Sequence, residues 1–565
     1  MTSGRSWSAR LWGSNPPLAR PIQTVSLTAV AAGSALAIGT ILRLRELLVN
    51  RSLSQDEAQL ALNIIDRPFA RLFGQLDYNQ AAPPGFLAVQ KLVTEALGYS
   101  EYSLRLFPFV VGTLALVLIL FLARAVVSPL AIPVAVGLFA LSEPLISYTT
   151  SDKQYAVDVL MTVAVLLVGF RLDDRPHEAS RLVLFAGVGA IAVWLSYSSI
   201  FVLAGVSTAF VVSSLAKKQW DRTIRVVIAS IAWLASFAIL AFTSLDEVEG
   251  IRRSLSSTPG AFAGSGYTDS EALGNEIRTS LGAFRYIGSI PHFLEYRNDD
   301  AGEVIALIVV AFCVVGLLSI SASRPERALA LIAPLGFMLI AWVFGQYPLL
   351  GRTQLFLVPM YVLLLSEGIA RTIYATRCLN RRAVAVAVSA IIGFALAFSA
   401  LKRTVQAPEF HEMKPVLEYI AQKQHPGDAV YVHYTAQPQL RYYIECGCGG
   451  PRFEAARKAG LWPLRRGRGG ASQWAPAMMS VPPRLLVGQE RDRDPKSLKA
   501  RVEGLRGRTR VWVLLPELEV STRATLVREL DRVGTRRATF AVGDVQAFES
   551  AVVVYLYDLT GTETS

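Results

Sequence analysis

Two adjacent carboxylates, Asp56 and Glu57, come soon after the first long apolar stretch of the sequence. Carboxylates at a membrane surface are costly to desolvate and add nothing to apolar packing, so the pair calls for a chemical explanation. Asp56 is suited to act as a general base that removes a proton from a hydroxyl group. The alternative is a structural role at a helix start, in which Ser54 caps the helix and Glu57 completes a capping box. That alternative explains Glu57 better than Asp56.

A second polar group, at residues 151–158, opens a later apolar stretch. Lys153 offers a point charge and Tyr155 a hydroxyl donor, and both are natural partners of a phosphate group. Asp158 lies about one and a half helical turns deeper than Lys153. An unpaired carboxylate is expensive there, so we expect Asp158 to pair with a nearby basic residue. The alternative is a lysine that reaches the lipid headgroups and a tyrosine of the interfacial aromatic belt.

Two further cations stand near the ends of apolar stretches. Arg352 follows a turn at residues 346–351, and its planar guanidinium is suited to bind a phosphate through two parallel hydrogen bonds. Lys91 lies in a short apolar segment and could reach a pyrophosphate. For both residues the alternative is contact with lipid headgroups.

Membrane-spanning helices are the elements that must position these residues. Of the 565 residues, 52% are hydrophobic and 18% are charged, and the mean hydropathy is +0.39. Apolar runs of about 18 residues or more recur along the chain, which excludes a soluble protein and predicts a polytopic helical membrane protein. The net charge of +12 is a topology signal first, and no nucleic-acid-binding motif accompanies it. About eleven spans are predicted, at residues 24–48, 103–127, 130–149, 153–171, 182–196, 198–216, 222–245, 303–321, 327–346, 352–374 and 383–402.

The loops between the spans predict the orientation of the chain. Short loops rich in Lys and Arg, at 217–225, 324–327 and 371–382, mark the cytoplasmic side. Counting alternate spans from these loops places the N-terminus in the cytoplasm and Asp56, Lys153 and Arg352 outside it. The count requires that residues 83–97, which are short for a span and open with two prolines, lie in the interface.

The predicted architecture is an all-α polytopic membrane domain followed by an extracytoplasmic α/β domain. Its parts are a cytoplasmic tail (1–22), a transmembrane domain (23–403) with outer loops at 50–102 and 246–302, and the C-terminal domain (404–565). Amphipathic helices are expected in the first outer loop. In the C-terminal domain, helical patterns at 411–424, 495–505 and 521–533 alternate with strand patterns at 429–434, 511–515 and 551–557.

These features resemble the GT-C superfamily of integral-membrane glycosyltransferases, in the branch related to the protein O-mannosyltransferases of family 39. The chain is similar to bacterial lipid-modifying members that transfer aminoarabinose or galacturonic acid. Besides the Asp-Glu pair, the motifs that carry the resemblance are Ala82-Pro83-Pro84, Leu104-Arg105-Leu106, Lys153-Gln154-Tyr155 with Asp158, the turn from Pro348 to Arg352, and Lys414-Pro415-Val416. The resemblance covers about residues 40–445 and resumes at 510–557.

The resemblance implies an enzyme that transfers a sugar, with inversion, from a polyprenyl-phosphate donor to a lipid, polysaccharide or protein acceptor. It also implies a bacterial inner membrane and a reaction on the extracytoplasmic side. Asp56 matches the position of the catalytic base. The remaining residues are assigned to the donor phosphate or the substrate: Glu57, Lys91, Lys153, Tyr155, Asp158 and Arg352.

This reaction requires no cofactor, and a divalent metal stays an open alternative. The expected partners are the donor, the acceptor and membrane lipids, with no nucleic acid. A different class of protein, a transporter or flippase of lipid-linked sugars, remains the alternative. Transporters tend to place ionisable groups and broken helices at the middle of the bilayer, often in paired repeats. Here the charges stand at span ends, which favours the enzyme; an inactive scaffold of the same fold is also open.

Overall fold

The computed structural model describes most of the membrane part of the chain and much of the C-terminal part. The described residues are 22–174, 178–255, 262, 300–349, 351–378, 412–425, 427–446, 485–487, 495–516, 518, 520–542 and 552–560.

Helices dominate the chain up to residue 378. They are α1 (Ile22–Val49), α2 (Gln55–Asp66), α3 (Pro84–Leu97), α4 (Glu101–Val126), α5 (Ala131–Leu141), α6 (Glu143–Thr149), α7 (Tyr155–Asp174), α8 (Ala179–Leu195), α9 (Ser199–Ala216), α10 (Trp220–Leu255), α11 (Asp300–Ser323), α12 (Pro325–Val343) and α13 (Val358–Cys378). Among the described residues, seven helices are long and apolar enough to cross a membrane, or eight if the bent pair α5 and α6 forms one span. The prediction of a polytopic helical membrane protein is confirmed.

The predicted spans up to residue 374 each coincide with a helix or a helix pair of the structure. The span at 130–149 is divided into α5 and α6, which meet at an angle of 52°. Helix α10 continues to Leu255, but the part of it that is apolar enough to cross a membrane is Trp220–Phe242, so the start of the second outer loop at residue 246 stays a prediction. Residues 256–261 and 263–299 of that loop, and the predicted span at 383–402, lie outside the described residues. The total of about eleven spans therefore stays a prediction.

Close packing between apolar helices relies on small residues. Gly316 of α11 and Gly368 of α13 face each other, and a Cβ on either would collide with a backbone carbonyl of the opposite helix. In a membrane, helices gain no hydrophobic driving force from one another, so such close approach supplies the packing energy. Substituting alanine for either glycine would force the two helices apart.

Residues 50–102, the segment predicted to be the first outer loop, fold into short helices around buried apolar side chains. In α2, Leu60, Ala61 and Ile64 are fully buried while the opposite face carries polar residues. Two 3₁₀ helices, at Phe69–Phe73 and Asp77–Asn79, connect α2 to α3. Helix α3 has only 14 residues, which is too short to cross a bilayer.

Residues after 412 form a mixed sheet with helices. The strands are β1 (Ala429–Val432), β2 (Leu485–Val487), β3 (Val511–Pro516), β4 (Thr535–Val542) and β5 (Val552–Asp558), and the helices are α14 (Met413–Lys423), α15 (Gln437–Cys446), α16 (Pro495–Glu503) and α17 (Val520–Val533). The described strands are ordered β2-β1-β3-β5-β4. Strand β1 pairs in parallel with β2 and β3, whereas β5 is antiparallel to both β3 and β4. This part thus combines strands with helices, and a separate extracytoplasmic α/β domain at 404–565 stays a prediction.

The sheet is covered on both faces and packs against the membrane part of the chain. Val430 and Val432 of β1 belong to the same apolar core as the membrane helices, whereas Ala429 and Tyr431 belong to a second core with α16 and α17. Such alternation follows from the two-residue period of a strand.

Hydrogen bonds also join the sheet region to the first outer loop. The Leu53 N–H donates a hydrogen bond to the Tyr443 hydroxyl oxygen at 2.7 Å. The Glu412 carboxylate accepts from the Ser52 hydroxyl at 3.0 Å. The Lys414 ammonium pairs with Glu101 at 2.9 Å. These contacts hold the segment before α2, which leads into Asp56, against the C-terminal part of the chain.

Candidate active site

Asp56 lies in the first turn of α2. Ser54 caps this helix, and its hydroxyl accepts from the Glu57 N–H while the Glu57 carboxylate accepts from the Ser54 N–H. The capping box predicted as the alternative role of Glu57 is thus present. Asp56 makes neither capping bond, and its side chain is 36% exposed. At this position the positive end of the helix dipole favours the ionised carboxylate.

Arg352 forms an ion pair with Asp56, with 2.5 Å between the guanidinium Nη1 and the carboxylate Oδ2. The Arg352 side chain is 43% exposed, so both partners are accessible. Arg352 lies in the 3₁₀ helix Gly351–Leu357 that leads into α13. Two hydrogen bonds fix the preceding turn, from the Thr353 hydroxyl to the Pro348 carbonyl at 2.7 Å and from the Tyr347 hydroxyl to the Thr353 carbonyl at 2.9 Å.

Lys153 approaches the same site from the turn before α7. Its side chain is buried, with only 6% of the residue exposed. The ammonium donates a hydrogen bond to the Gln80 side-chain carbonyl at 2.6 Å. The Gln80 side chain also hydrogen-bonds the Asp56 carboxylate. Segments that are distant in sequence thus bring Asp56, Lys153 and Arg352 together.

The charges in this site shift one another's pKa values. Burial alone would raise the pKa of Asp56, but the cations Lys153 and Arg352 outweigh it and lower that pKa to about 2. Burial lowers the pKa of Lys153 from its ordinary value, and the Asp56 carboxylate opposes this effect. Asp56 is therefore ionised at neutral pH and is held by cations, a combination that makes it a weak base until those cations are engaged elsewhere.

Glu57 is directed away from the exposed ion pair. Only 5% of the residue is exposed, and its second carboxylate oxygen accepts from the Asp152 N–H at 3.0 Å. Burial would raise the pKa of Glu57, but the nearby charges of Arg105 and Arg51 lower it. Glu57 thus fastens α2 to the turn that carries Lys153. This geometry differs from the predicted substrate contact and supports a positioning role.

Asp152 is a buried carboxyl group behind Lys153. Its Oδ1 accepts from the Gln90 amide, and Gln90 also donates to the Leu104 carbonyl at 2.7 Å. Burial raises the pKa of Asp152 to about 7, with the Gln90 hydrogen bond acting in the opposite direction. No role for Gln90 could be predicted from the sequence, because a glutamine inside a short apolar helix carries no distinctive signal.

Tyr155 and Asp158 extend the site into the start of α7. The ring of Tyr155 packs edge-on against Tyr148, with centroids 4.9 Å apart. The side chains that interact with the Asp158 carboxylate are those of Ser196 and Ser198, whose hydroxyl oxygens lie 3.0 Å from each other, and its Oδ1 is buried without a hydrogen-bond partner in the described part of the chain. The expectation that Asp158 pairs with a base is therefore wrong in the described residues, where its polar neighbours are two serines at the loop between α8 and α9.

Lys91 occupies a different place from the other predicted residues. Its ammonium donates to the Ile64 carbonyl at 2.7 Å, near the C-terminal end of α2. It also pairs with Glu95 at 3.6 Å and lies 5.8 Å from the centroid of the Tyr99 ring. A cation at a helix C-terminus satisfies otherwise unpaired carbonyls and the negative end of the dipole. The structure therefore assigns Lys91 contacts that fix α2 rather than contacts with a substrate.

A small apolar pocket lies beside the site. It is lined by Tyr148, Tyr155 and Leu355 next to the site and by Val159, Ala115 and Phe139 further along the helices. In the described part of the chain, no three His, Cys, Asp or Glu side chains cluster closely enough to hold a metal ion.

Comparison with known proteins gives structural similarity only. No family model matches the sequence, and no curated protein matches it. ArnT from Cupriavidus metallidurans, bound to undecaprenyl phosphate, is 13% identical, with a TM-score of 0.47 over 95% of this chain and 99% of that chain. The Archaeoglobus fulgidus oligosaccharyltransferase, in complex with Zn and sulfate, is 12% identical, with a TM-score of 0.46 over 89% of this chain and 71% of that chain.

A third similar structure is the arabinofuranosyltransferase AftD from Mycobacteria, at 14% identity and a TM-score of 0.34 over 95% of this chain and 42% of that chain. These neighbours are GT-C glycosyltransferases, the superfamily that the sequence resembles.

Proposed function

We propose that this protein transfers a sugar from a polyprenyl-phosphate donor to a hydroxyl group of an acceptor. The observation that carries the proposal is the ion pair of Asp56 and Arg352, accessible at the end of apolar helices and joined through Gln80 to Lys153. A base and two cations are the groups that this reaction needs. The apolar helices beside them suit a lipid-linked donor.

In the proposed reaction the acceptor oxygen attacks the anomeric carbon of the sugar. The new bond is from that oxygen to the carbon, and the bond from the carbon to the phosphate oxygen breaks. The acceptor proton passes to Asp56, and the bonding electrons leave with the polyprenyl phosphate. Because the phosphate gains one negative charge as it leaves, Arg352 and Lys153 would stabilise the transition state more than the bound donor. Direct attack of this kind inverts the anomeric centre.

The ion pair also provides a reason for the order of events. Arg352 holds Asp56 before the donor binds. A donor phosphate is a competing anion for Arg352 and Lys153. When the phosphate takes these cations, the effect that lowers the pKa of Asp56 weakens, and Asp56 becomes a stronger base. The base is therefore activated only when the donor is present, which protects the site from unproductive proton transfer.

We further propose that the reaction takes place on the extracytoplasmic side of a bacterial inner membrane. The short loops rich in Lys and Arg at the opposite ends of the helices support this orientation. The acceptor is a lipid, a polysaccharide or a protein, and a sugar hydroxyl or a protein hydroxyl would serve equally well in the chemistry above.

The proposal is tested with purified protein in lipid vesicles, a polyprenyl-phosphate sugar and a panel of hydroxyl acceptors, comparing the parent with Asp56→Asn. The variant keeps the size of the side chain and removes the base. We expect its rate of transfer to fall by about 10²–10⁴-fold. The matched control is Asp77→Asn, which changes an acid of the same loop whose carboxylate pairs with Arg67.

Two results would count against the proposal. Transfer that is unchanged in Asp56→Asn would remove this residue from the mechanism. Movement of the lipid-linked sugar across the vesicle membrane without a new glycosidic bond would instead identify a flippase.

A further inference from the structure

A strained turn in the segment between α2 and α3 places the side chain of Gln80 in the site. Tyr78 and Asn79 have left-handed backbone conformations, with φ of 63° and 52°. Two consecutive residues other than glycine rarely adopt this conformation, because the Cβ crowds the following carbonyl. Strain of this kind persists only where the surroundings impose it, and it clusters at functional sites. The residue that follows the turn is Gln80.

Contacts from two directions hold this turn in place. The Asp77 N–H donates to the Asn63 side chain at 2.8 Å, and Asn63 donates in return to the Asp77 carbonyl at 3.2 Å. From the C-terminal part of the chain, Arg441 donates to the Tyr78 hydroxyl at 3.1 Å. Both α2 and α15 thus contribute to the strained conformation.

The side chain of Gln80 uses both ends of its amide inside the site. Its nitrogen donates to the Gln59 side-chain carbonyl at 2.7 Å and its side chain hydrogen-bonds the Asp56 carboxylate. Its oxygen accepts from the Lys153 ammonium at 2.6 Å. Asp56 and Gln59 are three residues apart on α2, so they lie on the same face of the helix. An amide is suited to this task because it donates to an anion and accepts from a cation at once.

We propose that Gln80 is a positioning residue that ties the base Asp56 to the cation Lys153. It acts through these two residues and sets the distance between the proton acceptor and the phosphate-binding charge. This inference rests on the proposed function for its catalytic consequence. The connection itself is a property of the free protein and can be tested without a substrate.

The test measures how readily Lys153 reacts with acetic anhydride as a function of pH, in purified protein without donor. Mass spectrometry reads acetylation at Lys153, and Lys91 serves as the internal reference. Gln80→Leu removes the acceptor of the ammonium, which disfavours its charged form, so the labelling curve of Lys153 should move to lower pH by about one pH unit. Gln80→Glu places a negative charge there, so the curve should move to higher pH.

Opposite shifts in the two variants distinguish a specific connection from general loosening of the site. Loosening exposes Lys153 to water and would move both curves in the same direction. Shifts in the same direction, or no shift, would overturn the inference. If Gln80→Leu fails to fold, Gln80→Met replaces it, since it also lacks an acceptor for the ammonium and should move the curve to lower pH. The matched control is Gln75→Leu, which alters an exposed residue of the same loop and should leave the Lys153 curve unchanged.

Transfer activity then tests the catalytic consequence. If the parent protein transfers sugar, Gln80→Leu should lower kcat by about 10-fold. The reason is that a catalytic group displaced by a fraction of an ångström raises the activation barrier. Parent protein without transfer would contradict the proposed function and leave the labelling result standing. If Gln80→Leu transfers sugar at the parent's rate although its labelling curve is shifted, Gln80 contacts Lys153 only in the free protein. That result would overturn its positioning role in catalysis.

Discussion

One Arg–Asp ion pair lies near each end of α7, and the two differ in exposure. Near the start of α7, Asp56 of α2 pairs with Arg352, and their side chains are 36% and 43% exposed. At its end, Arg327 contacts both Asp173 and Asp174, and the Arg327 and Asp173 side chains are only 3% and 7% exposed. Since α7 has 20 residues, the two groups are about 30 Å apart.

The surroundings of the two groups differ in the same sense. The guanidinium carbon of Arg327 lies 5.2 Å from the centroid of the Phe170 ring. Arg327 also donates a hydrogen bond to the Ala125 carbonyl. The exposed pair can exchange partners with a solute, whereas the buried group is held by several contacts and stabilises the fold.

The largest effect on stability is expected at the buried end. Arg327→Met removes a buried cation that hydrogen-bonds Asp174 and the Ala125 carbonyl, while Asp173 keeps its ion pair with Arg222, so the free energy of unfolding should fall by about 2 kcal/mol. Denaturant unfolding in detergent measures the change. The matched control is Arg324→Met, which removes an exposed arginine that donates to the Ala125 carbonyl at 2.8 Å and should change stability by less than about 1 kcal/mol. Equal losses in both variants would contradict the comparison.

The exposed pair should show the reverse pattern. Arg352→Gln is expected to lower kcat/KM for the donor by about 10²-fold, because one charge on the leaving phosphate is lost. Its unfolding free energy should change by no more than about 1 kcal/mol, as for other exposed ion pairs.

The pH profile of Arg352→Gln sharpens this prediction. Removing the cation raises the pKa of Asp56 from about 2 towards its ordinary value of 3.8. Because the base must be ionised, activity is lost as pH falls through that pKa, so the acidic limb of kcat/KM should move to higher pH. A variant that loses stability but keeps its kcat/KM would place Arg352 with the structural group.

Asp152 provides a prediction of intermediate size. Its pKa is raised to about 7 from an ordinary value of 3.8, so the folded state binds a proton that the unfolded state has released between these values. Stability should therefore fall as pH rises from about 4 to about 7, by at least about 1 kcal/mol. Asp152→Asn keeps an acceptor for Gln90 and removes the titration. Thermal unfolding at pH 5 and pH 8 should show a pH-dependent loss in the parent that is smaller in the variant; equal losses would exclude Asp152 as the source.

The smallest effect is expected where the C-terminal part contacts the first outer loop. Arg441 pairs with Asp66 at 2.6 Å, and the Asp66 side chain is 37% exposed. Arg441→Ala should lower the unfolding free energy by about 1 kcal/mol, measured by denaturant unfolding. Arg532→Ala, which removes an exposed partner of Glu529, is the matched control and should have a smaller effect. A larger loss in the control would show that the contact between the two parts adds nothing.

Hydropathy and capping signals predicted much of the architecture. The long apolar helices and the capping box at Ser54 follow from local sequence, because burial and hydrogen bonding of a helix depend on residues close in the chain. Strand β4 was missed since Arg536 and Arg537 interrupt its apolar pattern. It lies at the edge of the sheet, where charged residues are common because they discourage association.

The candidate site was predictable in part. Three residues could be selected from the sequence, namely Asp56, Lys153 and Arg352, because a charge at the end of an apolar stretch is costly and indicates a function. Gln80 could not be predicted, since its role depends on the left-handed turn at Tyr78 and Asn79. The contact between Lys91 and the C-terminal end of α2 could not be predicted either, because nothing in the segment of Lys91 indicates that α2 ends beside it.

Donor binding is the most direct test of the central claim, which is that the donor phosphate replaces Asp56 as the partner of Arg352. The measurement is the equilibrium Kd of a polyprenyl phosphate for the parent, Asp56→Asn and Arg352→Gln in detergent. Asp56→Asn should bind at least as tightly as the parent, because its competing anion is gone, and Arg352→Gln should bind about 10-fold more weakly, which corresponds to about 1.4 kcal/mol. Weakened binding in Asp56→Asn, with Arg352→Gln unchanged, would contradict the account.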